Sequence, residues 1–231
     1  MSPHTAKRAG RTTWAAALLA MGCSQTPPAP REVTVPAARE AASSEPSTTE
    51  SEPYSRFLTR FLAALENSGE SPEALNAFVD PTHGVLLLIN PGALTIVESY
   101  RSYSELARTP HLGGSLLHSK MGCEGELHSL SARLPQFSCD DERYDVPDSC
   151  YQGEFKSGVL RRHVVWMQEY LPPETPEAGR EFTQLMAKVD RSEPLVTHYF
   201  FSTRVSRGYF FGQVGGAWRL IWVDAVSPCS A

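Results

Sequence analysis

Three histidines lie in local settings that suit acid–base chemistry or ligand binding. His83 follows Asp80 by three residues in Asp80-Pro81-Thr82-His83-Gly84, where the carboxylate can orient the imidazole as a general base. The proline and glycine of this segment also fit a simple turn. His163 falls on the apolar face of a predicted helix, which favours a hydrogen-bonded core histidine, and His198 adjoins the aromatic run 199–201. The sequence contains no G-x-S-x-G, P-loop or G-x-G-x-x-G motif, and we predict neither a catalytic motif nor a cofactor.

An acidic run offers hard oxygen ligands of the kind that calcium binds: Asp140, Asp141, Glu142, Asp145 and Asp148. It lacks the spacing and central glycine of an EF-hand, so we interpret it as a solvated loop. The formal net charge of −5 falls entirely within residues 54–231, because residues 1–53 hold five basic and five acidic residues. A mildly acidic domain without a basic stripe does not fit nucleic-acid binding, which depends on neutralising phosphates.

The first 22 residues have the pattern of a secretory signal peptide. Lys7, Arg8 and Arg11 precede a short apolar run over 14–22, which is too short for a transmembrane helix of about 20 residues. The segment Leu19-Ala20-Met21-Gly22-Cys23 resembles the lipobox of bacterial lipoproteins, in which the cysteine is lipidated and becomes the mature N-terminus. A plain signal peptide with a chance cysteine is the alternative.

The lipobox resemblance implies a membrane anchor at Cys23. Ser24 is not the aspartate that retains lipoproteins in the inner membrane, which favours the outer membrane, facing the periplasm or the cell surface. Residues 23–53 would then comprise the lipidated cysteine and a tether, because the many Pro, Ser, Thr and Glu residues of 24–53 cannot bury enough apolar surface to fold. Residues 54–231 form the predicted globular domain.

The four remaining cysteines form an even set: Cys123, Cys139, Cys150 and Cys229. In an exported protein they predict two disulfides, and the sequence leaves three pairings open. We favour Cys123–Cys139, closing an irregular segment, with Cys150–Cys229 pinning the C-terminal end. A zinc site with His118 or His128 is the alternative, but the sequence has no C-x-x-C pair and no H-x-x-x-H pattern, so we predict no metal.

Apolar spacing predicts helices first and strands last. The predicted helices lie around 57–65, from Ser71-Pro72-Glu73 to Val79, over 103–108, over 155–170 and from Thr175-Pro176-Glu177 to Val189. The predicted strands are a buried run at 85–89 and a closing antiparallel meander over 195–205, 208–214 and 218–224. In the last strand, simple alternation places Trp218, Leu220, Trp222 and Asp224 on one face and Arg219, Ile221 and Val223 on the other. Residues 111–153 show no sustained period.

The closing hairpin, Gly208-Tyr209-Phe210-Phe211 through Gly216-Ala217-Trp218-Arg219-Leu220, is similar to that of the NTF2-like superfamily. The order of the elements predicts an α+β domain, and the cysteine count predicts that disulfides stabilise it. The resemblance implies that the N-terminal helices pack into the concave side of a curved antiparallel sheet. It also implies a pocket there, for which His198, Tyr199 and His83 are the candidate residues.

Two functional hypotheses follow for the domain. The first, which we favour, is a non-enzymatic envelope lipoprotein that binds a small ligand or an envelope protein. The second is an NTF2-like envelope enzyme that uses His198 or His83 as general acid and base. A purely structural envelope protein is a third alternative.

Overall fold

A seven-stranded sheet separates two groups of helices. The computed structural model describes residues 52–68, 71–92, 94–109, 121–123, 127–130, 133–156 and 158–229. All of these belong to one unit, Thr48–Ala231. The predicted signal peptide, the lipid site Cys23, most of the tether and His118 lie outside the described residues.

Helices form at the predicted apolar repeats. The α-helices are α1 (Tyr54–Glu66), α2 (Tyr103–Ala107), α3 (Val159–Tyr170) and α4 (Pro176–Ser192), and 3₁₀ helices cover Pro72–Phe78 and Glu193–Leu195. Thr175 caps α4, because its Oγ1 accepts a hydrogen bond from the backbone N–H of Ala178 at 3.1 Å. Helix α3 begins four residues later than predicted. Phe155 still belongs to the sheet, since its N–H donates to the carbonyl of Thr197 at 2.9 Å.

The sheet is mostly antiparallel. The strands are β1 (Val85–Ile89), β2 (Ile96–Tyr100), β3 (Leu127–Ser129), β4 (Phe137–Ser138), β5 (Arg143–Tyr144), β6 (Cys150–Glu154), β7 (Val196–Ser202), β8 (Arg207–Val214) and β9 (Ala217–Asp224). Their order in the large sheet is β2-β1-β9-β8-β7-β6-β3, and β4 pairs only with β5. Only the β1/β9 and β3/β6 pairs of the described strands are parallel. The predicted α+β class is therefore confirmed.

Helix α1, the 3₁₀ helix Pro72–Phe78 and α2 pack on one face of the sheet, as expected for the N-terminal helices. The ring of Phe61 lies 4.9 Å from that of Phe211 and 5.2 Å from that of Tyr209, centroid to centroid. Edge-on aromatic contacts of this kind add to the free energy gained from burying the rings. Aromatic side chains therefore fix α1 on the meander β7–β9.

Helices α3 and α4 cover the opposite face, a placement that the sequence pattern does not predict. Leu160 and Val164 of α3 and Val189 of α4 are fully buried there. On the same face the ring of Phe210 stacks on Trp222 at 3.7 Å. With helices on both sides, every residue of β1 is buried, as its continuous apolar run predicts.

Strand β9 departs from simple alternation. Phe210 pairs with Trp222, whereas Phe211 pairs with Leu220, so Ile221 is the extra residue of a β-bulge. Ile221 and Trp222 both pack in the core beneath α3 and α4, while Leu220 and Val223 pack beneath α1. The prediction that Trp222 shares a face with Leu220 is wrong. Both faces of the strand are nevertheless covered, as predicted.

Two disulfides form, but not in the favoured pairing. The bonds are Cys123–Cys150 and Cys139–Cys229, with Cα atoms 5.4 and 5.6 Å apart. The predicted pairs Cys123–Cys139 and Cys150–Cys229 are wrong, because the sheet places residues 121–123 beside the start of β6. Ser202 of β7 donates a hydrogen bond to the carbonyl of Met121 at 2.7 Å, next to buried Cys150. Cys139 instead lies in the exposed turn between β4 and β5.

Candidate functional site

His198 lies at one end of β7 beside a β-bulge. The pairing of β7 with β8 passes from Val196 to His198, so Thr197 is the extra residue. A bulge can turn two successive side chains toward the same side of a strand. Here Thr197 and His198 line one cavity, and Nδ1 of His198 lies 3.0 Å from the hydroxyl oxygen of Thr197.

The end of β6 forms the neighbouring wall. Glu154 pairs with His198 across the two strands, and Phe155 continues the pairing to Thr197. These residues, with Lys156, line a cavity of about 600 Å³ at the end of the β6/β7 pair. Strand β3 pairs only with residues 150–152 of β6, so it does not extend along β6 to this end.

Aromatic rings pack behind His198 and hold it in place. The ring of Tyr54 lies 4.2 Å and that of Trp218 lies 5.0 Å from the imidazole, centroid to centroid. Burial lowers the pKa of His198, and the nearby charge of Glu154 partly opposes that shift. The imidazole is therefore neutral at pH 7 and can both donate and accept a hydrogen bond.

Tyr199, the second predicted pocket residue, is fully buried on the other face of the sheet. Its hydroxyl donates to the carbonyl of Arg133 at 2.9 Å and lies 3.3 Å from the carbonyl of Leu130. Burial raises its pKa to about 12, so the hydroxyl keeps its proton. Tyr199 is thus a structural residue that holds the backbone at Arg133 against the sheet.

The backbone near Arg133 faces the start of α3 across a second cavity, of about 580 Å³. This cavity is lined by Arg133, Leu134, Gln136, Phe155, Lys156, Gly158, Val159 and Arg162. Because the two cavities share Phe155 and Lys156, we describe them together as the Phe155 cleft. Its strand-side half contains His198 and its helix-side half contains Arg162.

Glu193 holds α3 at the edge of this cleft. It is 5% exposed, and its carboxylate accepts hydrogen bonds from the backbone N–H groups of Leu160 at 2.8 Å and Arg161 at 3.0 Å. A carboxylate at a helix N-terminus satisfies unpaired N–H groups and the positive end of the helix dipole. Glu193 therefore offsets the positive end of the helix dipole at the N-terminus of α3.

His83 does not belong to the Phe155 cleft. It lies in the turn before β1, where its Nδ1 is 3.1 Å from Asp80 Oδ1. The same oxygen accepts hydrogen bonds from the backbone N–H groups of Thr82 and His83, and these bonds lower the pKa of Asp80 although burial opposes them. The carboxylate therefore closes the turn. Of the two histidines proposed for catalysis, His198 lines the cleft and His83 does not.

The described residues contain no group of three or more His, Cys, Asp or Glu side chains arranged to hold a metal ion. The zinc alternative fails because Cys123, Cys139, Cys150 and Cys229 are all disulfide-bonded. In the acidic run, Asp145 accepts a hydrogen bond from the N–H of Gln136 and pairs with Arg133. That carboxylate is thus used to fold the loop.

Sequence reasoning missed the residues that give the cleft most of its charge: Glu154, Lys156 and Arg162. Lys156 and Arg162 lie within 155–170, which the sequence pattern assigns to a helix, and Glu154 immediately precedes that range. The available signal was the short segment before α3 in which the charged residues Glu154 and Lys156 flank Phe155.

The fold and the cleft define an α+β protein with a mixed-charge surface site. No protein-family model matches the sequence, and neither a curated protein nor a solved structure shows significant similarity to it. Within the part of the chain that the structure describes, no helix has the length and apolarity needed to cross a membrane.

Proposed function

We propose that the chain is an exported bacterial lipoprotein whose folded domain binds a small ligand or a protein partner of the cell envelope. Cys23 carries the lipid, residues 24–53 form the tether, and the anchor lies in the outer membrane, facing the periplasm or the cell surface. Support for the anchor comes from the sequence alone. It consists of the basic residues before position 12, the short apolar run and the segment Leu19-Ala20-Met21-Gly22-Cys23.

The Phe155 cleft is the observation that supports the binding role. Its two adjoining volumes, about 600 and 580 Å³, have the size typical of small-molecule sites. Phe155 provides apolar surface between the halves, while Thr197 and His198 provide hydrogen-bonding groups at one end. Lys156 and Arg162 provide positive charge toward the other end.

The same geometry argues for binding rather than catalysis. In the described structure no hydrogen bond joins His198 to Glu154 or to Lys156. Among the described residues, the polar side-chain partner of the imidazole is Thr197, at 3.0 Å. A general base that is oriented by a carboxylate needs that carboxylate within hydrogen-bond reach. The cleft thus offers recognition groups without a catalytic relay.

An NTF2-like envelope enzyme is the second candidate, and one observation favours it. Burial keeps His198 neutral at pH 7, which is the form that accepts a proton. The packing of α1, α2 and Pro72–Phe78 on one face of a mostly antiparallel sheet supports an NTF2-like arrangement, with α3 and α4 as an added layer.

The anchor is tested by the intact mass of the mature protein. We expect a chain that begins at Cys23 with the added mass of a diacylglycerol and an acyl group, and that partitions into detergent. Cys23→Ser should abolish both properties, whereas the matched variant Ser24→Ala should retain them. An unmodified chain that begins elsewhere contradicts the proposal.

The binding role is tested by a crystallographic fragment soak of the full chain carrying Cys23→Ser. We expect fragments to bind in the Phe155 cleft, and His198→Ala to weaken their binding. His128→Ala removes an exposed histidine outside the cleft and should have no effect. Fragments bound only elsewhere would contradict a ligand site here, and lost activity in His198→Ala during an unbiased screen would favour the enzyme.

A further inference from the structure

The helix-side half of the Phe155 cleft is positively charged on a chain whose net charge is −5. Arg133, Lys156 and Arg162 are among its eight lining residues, and no lining residue is acidic. Three cations on one concave surface repel each other unless an anion lies between them. This local excess of positive charge therefore needs an explanation that the fold alone does not supply.

Ion pairs between described residues account for one of the three cations. Arg133 pairs with Asp145, whose other oxygen accepts the N–H of Gln136 at 2.9 Å, so the pair fixes the guanidinium at the rim. Lys156 and Arg162 are exposed and form no ion pair with any residue that the structure describes. Within the described residues, Lys156 and Arg162 of the helix-side half thus have no ion-pair partner, and the one acidic residue of the cleft, Glu154, lines its strand-side half.

The start of α3 does not supply the attraction for an anion. Its N–H groups at Leu160 and Arg161 already donate to Glu193. In the helix-side half, the cationic groups available to an anion are therefore the side chains of Lys156 and Arg162, with Arg133 at the rim. An ammonium and a guanidinium form strong charge-assisted hydrogen bonds with phosphate oxygens.

Apolar surface lies next to these cations. Leu134, Phe155 and Val159 line the same half and are each only partly buried, so they can contact a ligand. A phosphate group attached to an apolar group matches this arrangement better than a free inorganic ion, which would leave that surface exposed to water.

We propose that the helix-side half of the Phe155 cleft binds a phosphate group carried on an apolar moiety, either a soluble phosphate ester or a phospholipid headgroup. Lys156 and Arg162 contact the phosphate, and Phe155 contacts the apolar part. This inference rests on the proposed binding function and names the chemical class of its ligand.

The test uses the full chain carrying Cys23→Ser and phenyl phosphate as the probe, with phenol as its neutral counterpart. We expect calorimetry or NMR shifts near Lys156 to report binding of phenyl phosphate and much weaker binding of phenol. Lys156→Ala/Arg162→Ala should weaken binding about tenfold, since two charge-assisted contacts are lost. Raising the NaCl concentration to about 0.5 M should also weaken binding, because the site is exposed.

A matched control removes the same charge elsewhere. Arg56 and Arg180 are exposed, line none of the described cavities of the cleft and form no ion pair with a described residue. Arg56→Ala/Arg180→Ala should change the affinity less than about twofold. If this control weakens binding as much as the cleft variant, net charge explains the effect and the inference is overturned.

The two sources of phosphate are separated by vesicles. If the ligand is a lipid headgroup, phosphatidylglycerol vesicles should bind the protein far better than phosphatidylcholine vesicles, with the same loss in Lys156→Ala/Arg162→Ala. Binding of phenyl phosphate without vesicle binding assigns a soluble ester. No binding of either probe, or binding unaffected by the cleft variant, overturns the inference. Phenol bound in the cleft as tightly as phenyl phosphate refutes the phosphate site but leaves the proposed binding function intact.

Discussion

Removing the Cys139–Cys229 disulfide should lower the free energy of unfolding by about 4 to 5 kcal/mol. The bond joins residues 90 positions apart, and in the chain-entropy model a closed loop of that length restricts the unfolded chain by about 4.6 kcal/mol at 25 °C. Both cysteines are exposed. Cys139→Ser/Cys229→Ser therefore leaves neither a buried cavity nor a free thiol, so the loss measures the restriction of the unfolded chain.

The second disulfide provides an internal comparison. Cys123 and Cys150 are 27 positions apart, for which the same model predicts about 3.6 kcal/mol. Cys150 is fully buried, however, and truncating it adds a packing loss of roughly 1 to 2 kcal/mol. We expect Cys123→Ala/Cys150→Ala to lower the free energy of unfolding at least as much as Cys139→Ser/Cys229→Ser does, although the Cys123–Cys150 bond closes a shorter loop.

Equilibrium unfolding in guanidinium chloride, followed by tryptophan fluorescence without reductant, measures both losses. The pairing itself is checked by tryptic peptides of the unreduced protein. Cleavage after Lys120, Arg133, Arg143 and Arg219 places each of the four cysteines on a different peptide. A loss below about 1 kcal/mol for Cys139→Ser/Cys229→Ser, or linked peptides that join Cys123 to Cys139, would refute the reasoning.

Variants at three further carboxylates are compared by denaturant unfolding. Burial raises the pKa of Asp224 to about 6, so its contribution to stability is full below about pH 4 and is lost as the pH rises through 6. The free energy of unfolding of the wild type, relative to Asp224→Asn, should fall by about 3 kcal/mol between pH 4 and pH 7, and a flat difference contradicts this. The pH dependence at Asp145 has the opposite sign, because the N–H of Gln136 lowers the pKa of this carboxyl. The wild type should therefore have a larger free energy of unfolding than Asp145→Asn at pH 7, and this difference should disappear as the pH falls below 4. Glu193→Ala should cost roughly 2 to 4 kcal/mol, since two N–H groups at the start of α3 lose their acceptor, and Glu193→Gln should cost less.

Much of the fold could be predicted because it depends on local patterns. The spacing of Phe57, Phe61 and Leu65 predicts α1, and these side chains are buried on one face of that helix. The continuous apolar run 85–89 predicts a strand covered on both sides, and β1 is such a strand. The cap at Thr175 predicts the start of α4 to the residue. In each case, a pattern of a few neighbouring residues indicates which side chains are buried or where a helix begins.

The candidate site was predicted only in part. His198 lines the cleft, as the sequence suggests, whereas Tyr199 is buried and His83 closes a separate turn. Lys156 and Arg162 belong to the site only because the end of β6 and the start of α3 meet across Phe155. No local pattern reports such a meeting, because the residues that form it come from four different segments.

The sequence by itself determined the class of the fold, the helices and the closing meander, since hydrophobic periodicity acts over one or two turns or strands. Only the tertiary structure decided the disulfide pairs, the bulges at Thr197 and Ile221 and the composition of the Phe155 cleft. These features depend on strand register and on contacts between distant segments, where a shift of one residue turns a side chain to the other face. The cysteines show the difference clearly: their number predicts two bonds, but the path of β6 decides that Cys123 reaches Cys150.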